Sequence, residues 1–167
     1  MPPIRYSYFH AMIQKAASSA AGAWFLGRVL RYLDRITLLL SGGRLTLTTT
    51  LAGLPVVMVT TTGAHTGQPH TQPLAPIRDP RAPGRFALIA SNWGQHRTPA
   101  WYYNLRKNPR ASCTMDRQTS TYVAREASGE EYDRFWTCAT ETYIGFHLYQ
   151  QRAGRRIPIM VMEREDS

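Results

Sequence analysis

The spacing of apolar and polar residues changes character several times along the chain. Over the first 40 residues, Trp24, Phe25, Leu26, Val29, Leu30, Leu33, Ile36, Thr37 and Leu40 recur at intervals of three and four, with Arg28, Arg31 and Arg35 on the other face. That period predicts an amphipathic, cationic helix. Ser41-Gly42-Gly43 ends it, because glycine adopts the left-handed backbone of a helix C-terminus without strain. Such a helix serves as a lid packed on the domain or as a segment lying on a membrane surface, and the two roles are compatible. From Leu45 to Ile77 the chain is rich in Thr, Val and Leu, which predicts strands at Arg44–Leu51 and Pro55–Thr62 with a glycine-containing turn between them. A polar loop with two glycines, Thr62 to His70, leads to a third strand near Thr71–Ile77.

Asp79 to Gly84 reads as a turn, and Arg85–Ser91 as an apolar strand stopping at Asn92-Trp93-Gly94. Pro99 to Asn108 suits a short helix that Pro109 terminates, since the residue before a proline avoids helical geometry. Ala111–Met115 and Ser120–Glu126 alternate as a hairpin. Gly129–Ala139 is helical, with Ser128 and Glu131 at the spacing of a capping box. Arg156–Met162 is the last strand. The order predicts an α+β protein on an antiparallel barrel. Residues 1–43 form an N-terminal helical segment and 44–167 the barrel, one domain overall.

Composition narrows this reading. A chain of 167 residues holds one domain with a real core. Its 43% hydrophobic and 19% charged residues exclude a disordered chain. Twenty Lys and Arg against 11 Asp and Glu leave a net charge of +9, which points to anionic partners. In the first 78 positions Asp34 stands alone against Arg5, Lys15, Arg28, Arg31, Arg35, Arg44 and Arg78. Nucleic acid is set aside, because the arginines are dispersed beside apolar helix positions instead of forming a dense patch. Cys113 and Cys138 form no CxxC and the five histidines are scattered, so no metal site is expected. There is no secretory signal pattern and no apolar run long enough to span a bilayer. The expectation is a cytoplasmic protein, with the inner membrane face as a surface the helix could meet. GxGxxG, GxxxxGK[ST], HExxH and GxSxG are all absent, so the usual dinucleotide, P-loop, zincin and serine-hydrolase signatures are missing.

Four ordered motifs carry more. They are Val57-Met58-Val59-Thr60-Thr61-Thr62-Gly63-x-x-Thr66-Gly67-Gln68-Pro69-x-Thr71-x-Pro73-Leu74, then Ala90-Ser91-Asn92-x-Gly94, then Pro99-Ala100-Trp101-Tyr102-x-Asn104-Leu105-x-x-Asn108-Pro109, and last Arg156-Ile157-Pro158. Together they resemble the deazaflavin-dependent nitroreductase family, over about Leu45 to Met162. The resemblance implies a split β-barrel, coenzyme F-420 as hydride donor, and often a homodimer, with monomeric and membrane-associated members as well. It implies cofactor contacts at Thr62, Gly63, His65, Thr66, Gly67, His70, Pro73, Leu74, Ser91, Asn92, Trp101 and Asn104, and a substrate pocket at Tyr143, Phe146 and Tyr149.

Physical chemistry is compatible with those roles. Glycines let backbone amides approach a phosphate, and threonine hydroxyls add donors. In the family this loop carries an Arg-Lys pair after the first glycine and an Arg after the proline, where this chain has Ala64, His65 and His70. Histidine is mostly neutral at pH 7 and lacks arginine's fork, so Arg78, Arg97 and Arg106 are candidates to supply the missing charge. Ser91 would sit at a barrel rim beside the cofactor ring. Trp101 and Asn104 share a helix face, one a packing wall and the other a hydrogen-bonding amide. The middle aromatic of the pocket, usually tyrosine, is Phe146, which can only pack, leaving Tyr143 and Tyr149 to orient a substrate or donate a proton. Ser91, Tyr143 and Tyr149 are therefore the expected catalytic residues. The expected reaction passes a hydride from reduced F-420 to a small-molecule acceptor: a quinone, activated alkene or nitroaromatic. The alternatives are a flavin mononucleotide reductase in the same barrel, or a non-catalytic basic peripheral-membrane or ligand-binding protein with a decayed cofactor site.

Overall fold

In the computed structural model the described residues are 55–143 and 145–165. The predicted N-terminal helix, the strand Arg44–Leu51 and the boundary at residue 43 lie outside them. The strands are β1 (Val57–Thr62), β2 (Pro69–Leu74), β3 (Pro76–Arg78), β4 (Phe86–Ile89), β5 (Arg110–Met115), β6 (Gln118–Glu126) and β7 (Ile159–Arg164). Helix α1 is Ala100–Lys107, α2 is Gly129–Thr142 and α3 is Gly145–Ala153, with a 3-10 turn at Asn92–Gly94.

All seven strands pair antiparallel in the order β2-β1-β5-β6-β7-β4-β3. The two edges of this sheet, β2 and β3, are separated in sequence by Ala75 alone. A flat sheet would hold its edges about 29 Å apart at ~4.8 Å per strand, whereas a single residue reaches about 3.6 Å. The sheet must therefore curl until its edges meet. The predicted third strand, Thr71–Ile77, is thus one bent strand that pairs with β1 through its first half and with β4 through its second. The register measures the closure. His70 pairs with Thr61, Thr61 with Ala111, Ala111 with Tyr122 and Tyr122 with Arg164. Continuing the β7–β4 and β4–β3 registers from Met162, Phe86 and Arg78 returns the path to Pro80, ten residues past His70. With the bent strand counted once, this is a six-stranded barrel whose strands tilt steeply around the axis.

Strand sequences follow from which faces are covered. In β1, Val57, Val59 and Thr61 alternate inward. β4 (FALI) and the first four residues of β7 (IMVM) are buried on both faces and read as unbroken apolar runs. Phe86, Leu88, Met160 and Met162 point into the barrel, while Ala87, Ile89, Ile159 and Val161 meet α2 and α3 outside it. Helix α1 plugs one end: Trp101, Tyr102 and Leu105 belong to the barrel core. Leu105→Ala would remove about 2–5 kcal/mol of stability. Asp116 and Arg117, at φ 49 and 68, form the two-residue turn between β5 and β6, as right-twisted hairpins prefer.

The capping box does not form. Gly129 has φ +53 and Ser128 makes no side-chain cap bond. With the backbone left-handed one residue after it, the serine is not set over the helix amides, and Glu131 joins Arg125 instead, at 2.5 Å.

Candidate functional site

Strand alternation divides the connections between two rims. At one rim lie the β1–β2 loop, Ser91 after β4, the entry to β5 and the entry to β7. At the other lie the 79–85 and 116–117 turns.

The β1–β2 loop is held closed by Gly63 N–H donating to Gln68 O at 2.8 Å and Gly67 N–H to Gly63 O at 2.9 Å. Gly67 is left-handed at φ +69. A Cβ on Gly63 would sit 2.5 Å from Thr66 Oγ1 and 2.9 Å from His70 Nε2, so a side chain there would have to displace the Thr66 and His70 side chains that close the loop. Thr66 Oγ1 accepts from Gln68 N–H at 3.3 Å and lies 3.4 Å from His70 Nε2. Among the described residues, the N–H groups of His65 and Thr66 have no partner. They are exposed donors on a glycine-shaped turn, which suits an anion.

Helix α1 fixes this loop from beneath. Asn104 is buried; its Oδ1 accepts Ala64 N–H at 2.9 Å and its Nδ2 donates to Thr61 Oγ1 at 3.0 Å. Lys107 Nζ donates to Ala64 O at 2.5 Å, and Asn108 Nδ2 to Thr62 O at 3.4 Å. Asn104, expected to contact a ring edge, has its carboxamide engaged by the loop, and Trp101 packs in the barrel core. The cation brought to the loop is Lys107, which sequence reasoning missed. Its one signal was its position three residues past Asn104, on the same helix face. Arg78 is at the opposite rim, and Arg106 lies over the Tyr102 ring, 5.8 Å from its centroid.

The Ser91 turn is built differently. Asn92, Trp93 and Gly94 have φ 47, 59 and 77, three left-handed residues in a row. Each non-glycine residue held this way costs about 1–2 kcal/mol, and such strain persists where surrounding structure imposes it. Gly94 is obligatory twice over, because its Cβ would also lie 3.0 Å from Tyr149 Cα. Ser91 is 8% exposed and its hydroxyl makes no cap bond. Asn92 Nδ2 donates to Arg97 O at 2.9 Å.

Against this turn stand the aromatics. Tyr143 follows α2, while Phe146 and Tyr149 lie on α3; all three are buried, with ring centroids 5.5–6.1 Å apart. Phe146 and Tyr149 thus sit on a packed helix. Tyr143 Oη and Tyr149 Oη are 3.0 Å apart. Burial raises both phenols above the ordinary tyrosine value, Tyr149 the more strongly. Both are protonated at neutral pH, so one phenol donates to the other and a single O–H remains available. Trp93 meets the Tyr149 ring edge-on at 6.3 Å, which joins the Ser91 turn to the tyrosine pair.

A common strand connects the turn and the loop. Pro76 pairs with Leu88, and the same register continued past β4 sets Pro73 level with Ser91 and Leu74 with Ala90. Pro69, at the loop, is four residues away along that strand, about 13 Å at ~3.3 Å per residue. Thr62, Gly63, His65, Thr66, Gly67 and His70 thus gather at one end of the ruler, and Pro73, Leu74, Ser91 and Asn92 at the other.

A 360 Å³ cavity lies elsewhere, at the opposite rim over Phe86, Met115 and Tyr122; of the residues considered for the site, Arg78 lines it. Cys113 on its wall is pushed up to about 12 by burial, so its thiol stays protonated and is no nucleophile.

Comparison with known proteins gives consistent relatives. A family model described as F420H(2)-dependent quinone reductase matches residues 34–164. An F420H(2)-dependent quinone reductase of Mycobacterium tuberculosis is 33% identical over 113 residues, 66% of this chain and 74% of that one. Among solved structures, an F420-H2 dependent reductase, FDR-A, aligns at 34% identity with a TM-score of 0.59, over 65% of this chain and 94% of that one. A chain solved as a domain-swapped dimer aligns at 30% identity with a TM-score of 0.61, over 86% of this chain and 100% of that one.

Proposed function

The chain belongs to the F420H(2)-dependent quinone reductase family, and we propose that it binds coenzyme F-420 along residues 62–74 and reduces a quinone beside the Tyr143–Tyr149 pair. It is a deazaflavin-dependent reductase of the split-barrel fold, with F-420 as its cofactor. One observation carries the site assignment: a loop with two unpartnered amides and a strained serine turn stand about 13 Å apart on one strand. That spacing suits a cofactor with a phosphate at one end and a flat ring at the other. Bound there in its reduced form, F-420 supplies a hydride from C5.

The chain's own residues bind, orient and protonate. His65 and Thr66 N–H hold the phosphate, with the His65 and His70 rings and the Lys107 ammonium adding positive or donor character in place of the family's arginines and lysine. Gly63 and Gly67 let it approach, and Thr62 closes the strand beside it. Pro73 and Leu74 flank the ring, and Ser91 Oγ donates toward it. Asn104 keeps the Ala64 amide fixed, and Trp101 supports α1. The free O–H of the tyrosine pair donates to the acceptor oxygen, as general acid or through water, and Phe146 packs against the acceptor. Quinones fit this chemistry first, and activated alkenes and nitroaromatics are acceptors of the same electronic kind. The relatives do not favour flavin mononucleotide or a non-catalytic role.

We propose further that the cationic, apolar pattern of residues 24–40, outside the described residues, brings the enzyme to the inner membrane face, and that the chain is a monomer or a homodimer. Co-sedimentation with anionic vesicles and analytical ultracentrifugation check these two points. The direct test of function is anaerobic mixing of the protein with reduced F-420 and menadione. Quinone-dependent oxidation of F-420 with saturable cofactor binding is expected; saturable binding of flavin mononucleotide in its place would reject the reading.

A further inference from the structure

The Ala90–Arg97 segment carries three left-handed residues yet has few backbone bonds of its own, so something else holds it. Arg155 reaches into it from just beyond α3, after Gly154 at φ +60. Its Nε donates to His96 O at 2.9 Å. Its Nη2 lies 3.3 Å from Ala90 O, 3.4 Å from Gln95 O and 3.3 Å from Arg97 O. Nη1 donates to Arg156 O at 3.3 Å. Four of these five carbonyls belong to the segment that bears Ser91. Nη2 has two hydrogens for three acceptors, so it shares them among the carbonyls at long range, while the Nε bond is the firm anchor. Ion pairs among the described residues involve Arg85, Arg110, Arg125 and Arg134, not Arg155. Its charge faces carbonyl dipoles instead of a carboxylate.

We infer that Arg155 is a positioning residue for hydride transfer: it gathers the carbonyls of the Ser91 turn, keeps that turn left-handed, and so sets Ser91 against Tyr149 and the bound ring. The inference rests on the reading that Ser91 faces the cofactor. Two features separate this from ordinary support of the fold. Four of the five acceptors converge on a segment with three left-handed residues in a row, and that segment touches α3 through Gly94 and Trp93. Only a guanidinium offers five donors in one plane for such a ring of acceptors. A lysine offers one ammonium that rotates freely and engages fewer carbonyls. His96, whose Nδ1 lies 3.0 Å from Ala153 O, secures the far side of the segment to the end of α3.

The test is a double-mutant cycle between Arg155→Ala and Ser91→Ala, with Arg155→Lys as the conservative arm. Turnover is read with reduced F-420 and menadione, and F-420 affinity by fluorescence titration. Arg155→Ala should lower kcat roughly tenfold, the loss expected when Ser91 no longer contributes. The F-420 dissociation constant should change less than about threefold, since the phosphate is held at the other end of the strand. In the Ser91→Ala background the same change should lower kcat less than about threefold, because the group it positions is already gone. Guanidinium at low-millimolar concentration should restore part of the turnover of Arg155→Ala. Equal losses in both backgrounds, or parallel losses of affinity and kcat, would overturn the inference and leave Arg155 a support of the fold. If Arg155→Ala does not fold, Arg155→Lys carries the same cycle with the same criterion. Wild-type protein that neither binds F-420 nor reduces menadione would instead defeat the functional reading itself.

Discussion

The two rims of the barrel treat polar groups in opposite ways. Around the 79–85 turn and the adjacent sheet face, charges neutralise one another: Arg85 meets Asp79 at 2.6 Å and Glu163 at 3.4 Å, Arg125 meets Glu131 and Glu163, and Arg134 reaches Asp79 at 3.6 Å. At the loop rim, the His65 and Thr66 amides have no partner among the described residues, a serine hydroxyl makes no cap bond, and three residues hold left-handed geometry. The paired rim has a cavity of 360 Å³, yet the unpaired rim has the donors that a ligand could use. Groups already satisfied by the fold have little to offer a ligand, so an open cavity and a binding site need not coincide.

Substitutions at each rim should therefore fail in different ways. The largest effect is expected for Gly94→Ala, which meets the Tyr149 backbone and a forbidden φ together. Turnover should fall more than about 100-fold, with F-420 affinity largely retained. Loss of affinity without loss of turnover would detach the Ser91 turn from the chemistry.

Asp79→Asn should do the reverse. The Asp79 side chain is fully buried. Its removal should lower stability by about 2–3 kcal/mol, measured by denaturant unfolding, with specific activity unchanged. Burial pushes the Asp79 carboxyl up, but the Arg81 amide and the Arg85 and Arg134 guanidiniums more than offset it, so its pKa falls below the ordinary value. Glu131 is lowered as well, chiefly by its hydrogen bond to Arg125. A lowered folded pKa gives stability above the unfolded value near ~4, lost as pH falls through the folded one. Wild-type melting should drop steeply below about pH 4, and Asp79→Asn should flatten that drop. An unchanged acid profile would remove Asp79 from the network.

Ser91→Ala should cost roughly tenfold in kcat with no change in melting temperature. His65→Lys should tighten F-420 binding by a few-fold, about 1 kcal/mol, and make it more sensitive to salt. Unaltered affinity would move the phosphate off the loop.

Much of this architecture was legible in the sequence, for identifiable reasons. β1, α1, the β5–β6 hairpin and α2 follow local periods, and their boundaries fall within a few residues of expectation. What escaped depends on contacts distant in sequence. Thr71–Ile77 does not announce that it bends at Ala75 to close a barrel, because closure is a property of register around the whole sheet. Ser128 and Glu131 have capping-box spacing, but Glu131 finds Arg125 and Gly129 turns left-handed. Trp93 at φ 59 goes against the preference of a bulky residue and needs the imposed turn. Lys107 and Arg155 look like surface charge in the sequence, and only the fold shows the carbonyls they reach.

The contrast between rims is tested most directly by F-420 fluorescence titration of two variants side by side. Gly63→Val places a side chain where Thr66 and His70 close the loop, while Arg78→Glu reverses charge at the cavity rim. A phosphate site in the loop predicts that Gly63→Val weakens binding at least about tenfold and that Arg78→Glu leaves it within about twofold. Retained affinity in Gly63→Val together with its loss in Arg78→Glu would place the cofactor at the other rim and contradict the site assigned to it.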